Sequence, residues 1–189
     1  WLNKYLVEND IRIASVMDYG CGTGSSTRLF FDILKADEVI GLDVSRESLR
    51  VARDLKYHPN ARFESFEDFS PNADIDLAFC NGVFHHIPPA ERAASLDYIY
   101  RSLRPGALFA FWENNPWNPG TRYVMSRCPF DANAITLNAP EARKLLIESG
   151  FKIISMNFLF IFPRILSPLR RLEPLMSRLP IGARYQVLC

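Results

Sequence analysis

Between Val16 and Gly24 the chain reads Val-Met-Asp-Tyr-Gly-Cys-Gly-Thr-Gly, an apolar run leading into an aspartate and three glycines at alternate positions. Glycine adopts positive φ and lets backbone approach a ligand at little steric penalty, so this spacing predicts a tight turn pressed against something bound. Residues 25–34 then carry Leu29, Phe30, Ile33 and Leu34 at helical intervals. The turn therefore joins a strand to a helix, whose first N–H groups suit an anionic ligand group.

The same alternation continues along the chain. Apolar runs at 15–19, 38–43, 61–66, 76–80 and 107–112 predict five strands, with helices near 25–34, 46–57 and 89–103 between them. This is the pattern of an α/β fold in which helices cover both faces of a parallel sheet. Ser45 stands where an N-cap belongs, and Pro88-Pro89 falls where a first helical turn tolerates proline. After the fifth strand, Glu113-Asn-Asn-Pro-Trp-Asn-Pro-Gly120 is too rich in Pro, Asn and Gly for regular structure, and a short helix is expected over 121–127. A helix over 140–149 stops at Gly150, 151–162 reads as a sixth strand and 184–188 as a seventh. No repeat or boundary interrupts this order, so residues 1–189 read as one domain. The opening Trp1, in place of Met, leads to the expectation of a further N-terminal portion ahead of it.

Lys and Arg number 22 against 21 Asp and Glu, a net charge of +1 that removes any global electrostatic case for nucleic-acid binding. Cys21, Cys80, Cys128 and Cys189 lack the close pairs of a zinc site and the density of a disulfide scaffold. No metal is expected, and a reducing, cytoplasmic setting is favoured. No run approaches the roughly 20 apolar residues that cross a bilayer. In 163–182, Ile165, Leu169, Leu172, Met176 and Leu179 recur at four-three spacing, Arg164, Arg170, Arg171 and Arg178 supply charge, and Pro168 and Pro174 break the pattern into short helices. This segment is read as a helical insertion or lid between the last two strands, with peripheral contact at an anionic membrane surface as the alternative.

In an open parallel sheet, ligands bind beyond the carboxyl ends of the strands where strand order reverses, and the glycine turn marks that crevice. Asp43 ends the second strand nineteen residues after Gly24, where a carboxylate can accept both ribose hydroxyl protons. Turn and acid together frame a nucleoside-containing cofactor.

Four segments in order, Asp18-Tyr-Gly-Cys-Gly-Thr-Gly24, Gly41-Leu-Asp-Val-Ser45, Asp76-Leu-Ala-Phe-Cys-Asn-Gly-Val-Phe-His-His86 and Leu103-Arg-Pro-Gly-Ala-Leu-Phe109, resemble the successive motifs of class I S-adenosylmethionine-dependent methyltransferases. The nearest likeness is to bacterial small-molecule enzymes of the ubiquinone/menaquinone-biosynthesis type. The resemblance implies a Rossmann-like, seven-stranded, mostly parallel sheet with an antiparallel last strand, and S-adenosyl-L-methionine as cofactor. It implies that Gly20, Gly22 and Gly24 pass beneath the cofactor, with Asp18 near its methionine portion, Asp43 on the ribose and Val44 on the adenine. Asn81 and Gly82 would contact the methionine end, and either Glu67 or Asp68 would serve as the adenine-side acid.

Methyl transfer needs a base only when the nucleophile starts protonated, and His85 and His86 are the candidates beside the expected methyl group. Glu113, Asn114, Asn115 and Trp117 follow the fifth strand at the crevice mouth and, with Arg127, are the expected acceptor-binding residues. The acceptor is read as a small or lipid-linked molecule; the attacked atom and the oligomeric state stay open. Two other functions compete, a nicotinamide-dependent oxidoreductase on a related fold and a cofactor-binding module without catalysis. The dinucleotide fingerprint spaces its last two glycines three apart, whereas here Gly22 is followed by Gly24 and Ser25 holds the third glycine's place. That spacing argues against the oxidoreductase and leaves the binding module open.

Overall fold

All five residues of strand β1 (Ser15–Tyr19) are buried, as a parallel strand with neighbours on both sides requires. In the computed structural model, which describes residues 1–189, β1 pairs in parallel with β2 (Glu38–Leu42) on one side and β4 (Ile75–Asn81) on the other, and β3 (Ala61–Glu64) extends the sheet beyond β2. Strands β5 (Leu103–Asn114), β6 (Ser155–Leu159) and β7 (Arg184–Leu188) complete the order β3-β2-β1-β4-β5-β7-β6, with β6 and β7 antiparallel. The result is a seven-stranded mixed sheet flanked by helices. Strand order steps away from β1 in one direction and from β4 in the other, so the switch point falls between them.

The helices are α1 (Leu2–Glu8), α2 (Thr27–Asp32), α3 (Arg46–Asp54), α4 (Arg92–Ser102), α5 (Pro119–Arg127), α6 (Ala139–Glu148) and α7 (Glu173–Met176). Their starts follow local chemistry. Ser45 Oγ accepts the Ser48 N–H at 3.2 Å, Asn118 Oδ1 accepts that of Thr121 at 3.0 Å, and Asn138 with Glu141 closes a capping box. None of these helices is long and apolar enough to cross a membrane.

Several boundaries differ from the sequence reading. α2 starts late because residues 22–26 form consecutive turns, and α1 was not anticipated. The sixth strand shrinks to Ser155–Leu159, since Phe160 takes φ of 57° and ends the extended run. Between β6 and β7 lie a tight 3-10 segment over Arg164–Leu172, kinked at Leu166, and the single turn of α7.

The chain packs as two compact units, residues 1–81 with 98–110 and residues 82–97 with 111–189. In the first, Val16, Met17, Val39, Leu42 and Leu77 are core residues, each contributing about 1.5–3 kcal/mol by burial. There the Asp76 carboxylate accepts the Ala14 and Ser15 N–H groups at 2.6 and 3.0 Å and pairs with Arg104, locking the start of β1 to β4. In the second, Phe84 and Phe111 meet edge-on at 5.0 Å, and the buried Tyr185 hydroxyl donates to the Leu137 carbonyl at 2.7 Å.

Candidate active site

The turn after β1 carries positive φ at Gly20, Gly22 and Gly24. The Gly20 and Cys21 N–H groups both donate to the Leu42 carbonyl, at 2.8 and 2.9 Å, which ties the turn to the end of β2. A methyl group on Gly24 would stand 2.8 Å from Phe63 and 2.9 Å from Tyr57, so only glycine lets the turn close on that aromatic pair. At Gly22 the same position meets nothing within 4 Å, leaving bare backbone facing open space.

Asp43 follows β2 directly, with Oδ2 accepting the Gly22 N–H and Oδ1 that of Ser45, each at 2.8 Å. It is not the cap of α3, a part that Ser45 plays. A carboxylate offers about four lone-pair directions, so acceptor capacity remains for hydroxyl donors. Asp18 is 3% exposed, and its Oδ2 has no hydrogen-bond partner. Burial first, and the adjacent Asp43 second, push its carboxyl up to about 7. Val44 is 83% exposed after Asp43; on the turn after β3, Glu67 pairs with Arg46 at 3.5 Å and Asp68 accepts the Ser65 hydroxyl at 2.7 Å. Asn81 closes β4 in an exposed position.

The second unit builds a different kind of site. Gly82, with φ of 71°, leads into the tight turn Phe84–His86. The fully buried Glu113 carboxylate accepts the Phe84 N–H at 2.9 Å and the Asn114 N–H at 3.1 Å, and lies 2.7 Å from His85 Nδ1. His85 Nε2 is 3.3 Å from Asp131, and His86 Nε2 approaches the same oxygen at 3.6 Å. Burial alone would lower the His85 pKa, but the Glu113 and Asp131 carboxylates outweigh it and raise the value. For His86, burial and the neighbouring His85 act together and lower it. The two neighbouring imidazoles are thus shifted in opposite directions, a separation typical of functional pairs. Both His85 nitrogens are engaged by carboxylates, which argues against this histidine as a base; His86 keeps that capacity. The His85, His86 and Asp131 ligand atoms lie within 4.8 Å of one another, an approach that the placement of His85 between the Glu113 and Asp131 carboxylates accounts for by itself. Buried Arg92 clamps the turn by donating from Nε to the carbonyls of Phe84 at 3.1 Å and Ile87 at 3.0 Å.

Of the expected acceptor residues, Glu113 and Asn115 are fully buried with their polar atoms occupied inside the chain, so they frame the site instead of lining it. Asn115 donates to the carbonyls of Pro180 and Gly182 at 3.1 and 2.8 Å and accepts the Trp117 N–H at 3.1 Å. Asn114 does line a cavity, of about 640 Å³, together with Asp131, Arg170 and Arg184 and the apolar walls Val124 and Phe160. Arg127 lines another of about 570 Å³ with Arg122 and Asp131, its guanidinium 5.2 Å over the Tyr123 ring. Trp117 is half exposed and borders neither cavity.

Sequence reasoning missed Arg184, which read only as the start of a strand. A Cβ at Gly82 would lie 3.9 Å from Arg184 Nη2 and 3.7 Å from His85 Cε1. It also missed Asp131 as the partner of the histidines, because its one local signal was the nearby Arg127.

Residues 16–106 match the methyltransferase domain family. The trans-aconitate 2-methyltransferase of Azoarcus sp. is 32% identical over 116 residues, 61% of this chain and 45% of that protein. That of Rhodopseudomonas palustris is 37% identical over 139 residues, 71% of this chain and 53% of that protein. The chain spans about half the length of these relatives. An S-adenosylmethionine-dependent methyltransferase from Mesorhizobium loti shares the fold, with a TM-score of 0.69 at 19% identity over 98% of this chain and 96% of that one. In its matched domain and its fold the chain resembles the class I S-adenosylmethionine-dependent methyltransferases. Neither relative carries the ubiquinone/menaquinone name to which the motifs stood nearest.

The first unit suits that cofactor on physical grounds. S-adenosylmethionine presents an ammonium at one end and vicinal ribose hydroxyls in the middle. Asp18 offers a buried carboxylate oxygen without a donor, Gly22 an unobstructed surface and Asp43 a carboxylate with spare acceptor capacity.

Proposed function

We propose that this chain transfers a methyl group from S-adenosylmethionine to an oxygen of an acidic acceptor bound as its carboxylate beside Arg184. The observation that carries this reading is the placement of the Arg184 guanidinium, which borders the 640 Å³ cavity and reaches toward Gly82, the position expected at the methionine end of the cofactor. A guanidinium pairs with a carboxylate bidentately, fixing orientation as well as charge. The relatives' names support the same class, since trans-aconitate is a carboxylic acid. The apolar walls of the cavity suit an acceptor with a hydrocarbon part, whether small or lipid-linked.

When bound, S-adenosylmethionine supplies a methyl group already activated on a sulfonium, open to in-line displacement. The chain's own part is to hold both reactants. Asp18, Gly20, Gly22, Gly24, Asp43 and Val44 would keep the cofactor extended, with Glu67 or Asp68 on the adenine side and Asn81 and Gly82 at the other end. Arg184, with Asn114, would hold the acceptor oxygen on the transfer axis, and such positioning contributes on the order of 7–11 kcal/mol.

A carboxylate arrives deprotonated, so no base is required. His86→Ala is therefore expected to lower kcat by less than about fivefold, against the roughly 10²–10⁴-fold that a general base supplies. Arg184→Ala is expected to raise the acceptor KM about 10–100-fold, the loss of one charge-assisted contact, with cofactor affinity unchanged. Methyl release measured across di- and tricarboxylic acids, trans-aconitate among them, and their neutral amides tests the reading. Turnover of acids and not of amides is the expected result; equal turnover of both would contradict it.

A further inference from the structure

Helical segments of a folded protein normally bury one face, yet every residue from 163 to 172 is exposed, and neither the 3-10 segment nor α7 contains a buried residue. Ile165 is 88% exposed and Leu175 85%, and Leu169, Leu172 and Leu179 each stand more than 40% open. The expected lid thus does not pack its apolar stripe onto its own unit.

The contacts that hold the segment are polar. Glu173 Oε1 accepts the Phe162 N–H at 3.0 Å, Arg170 Nε donates to the Phe162 carbonyl at 3.2 Å, and the Phe158 N–H donates to the Ser177 carbonyl at 2.6 Å. They fix the backbone and leave the leucines pointing outward. Proline at 168 and 174 prevents one continuous helix, so the stripe is presented in short pieces.

Charge decides what such a stripe fits. Arg164, Arg170, Arg171 and Arg178 face a single acid, Glu173, so this short stretch carries a surplus of three positive charges in a chain whose net charge is +1. Leucines interleaved with arginines match a hydrocarbon layer beneath a sheet of negative headgroups. The same face continues into the acceptor cavity, whose lining includes Phe160, Phe162 and Arg170.

We propose that residues 160–181 dock this protein on an anionic bilayer surface, with Ile165 and Leu175 at the headgroup–acyl boundary and the arginines on lipid phosphates. Docking goes beyond the methyl-transfer reading and does not depend on it, and the test needs no turnover. Purified chain is sedimented with vesicles of phosphatidylcholine alone or mixed with phosphatidylglycerol. The expected result is at least roughly tenfold tighter binding to the mixed vesicles, weakening as salt rises. The surface variants Ile165→Asp/Leu175→Asp and Arg171→Glu/Arg178→Glu should each reduce binding by roughly tenfold or more while leaving the melting temperature in place. Absence of binding to the anionic vesicles, or binding that both double variants retain, would overturn the proposal. So would a lipid-free dimer that Ile165→Asp/Leu175→Asp dissociates, which would assign the face to a second copy of this chain.

Discussion

Glu113→Ala is expected to destabilise the protein by about 3–5 kcal/mol, the loss that follows when one member of a buried charged pair is removed. Three groups lose their partner together, the Phe84 N–H, the Asn114 N–H and His85 Nδ1. Without the carboxylate, the turn that carries both histidines keeps its contacts to Arg92, Asp131 and Phe111 and the Ile135 N–H bond to the His85 carbonyl, but loses the acceptor at its centre. For a chain of this size the melting temperature should fall by on the order of 10 °C. The pH dependence is a second readout. The folded His85 pKa is raised by its two carboxylates, so its stabilising contribution is fully present below the unfolded value near 6.5 and is lost as pH rises through the raised folded value. Thermal unfolding of the wild type across that range should show stability declining, and Glu113→Ala should flatten the decline. A melting temperature unchanged by the substitution would mean that this buried network is not what shapes the turn.

Asp18→Asn is expected to move stability and ligand binding in opposite directions. The carboxyl is raised to about 7 from an ordinary value of 3.8, so the native state binds more protons than the unfolded state between those limits. Stability should therefore fall as pH rises through that window, with the full penalty present above it. A neutral amide of the same shape removes the penalty, and at pH 8 the ligand-free variant should be more stable than wild type by on the order of 4 kcal/mol. The same change removes the carboxylate meant for the cofactor's ammonium, and affinity for S-adenosylmethionine should drop roughly 10–100-fold. In the wild type, affinity should climb with pH up to about 7 as Asp18 gives up its proton, since only the ionised form pairs with an ammonium. Parallel thermal melts and titrations of the two proteins check both signs. A variant that is less stable and binds equally well would remove Asp18 from the site.

Much of the fold was legible because local chemistry and global packing agree. The glycine turn needed positive φ at Gly20, Gly22 and Gly24, Ser45 is a cap in sequence and in space, and apolar runs placed β1, β2 and β4 to within a residue or so. The sixth strand was overdrawn because Phe160 is a good strand former whose φ of 57° no periodicity announces. The grouping of Asp18, Gly22 and Asp43 was legible for the same reason as the turn, since neighbouring strands bring them together. The surroundings of Glu113 and Arg184 were not. Glu113 and Asn115 sit in a polar, proline-rich stretch that reads as solvent-facing, yet Asn115 is drawn inward by the carbonyls of Pro180 and Gly182, more than sixty residues away in the chain. Arg184 carried no local signal, because its significance lies in standing against Gly82 across a hundred residues of sequence.

The central claim is that the turn after β1 and the acid after β2 together hold S-adenosylmethionine. Calorimetric titration of wild type and Asp43→Ala with S-adenosylmethionine, its demethylated product and NAD tests it most directly. One site per chain for the first two ligands, no heat from NAD, and a loss of roughly 100-fold in affinity in a variant that still melts cooperatively are the expected results. Binding of NAD in their place, or S-adenosylmethionine affinity indifferent to the loss of Asp43, would contradict it.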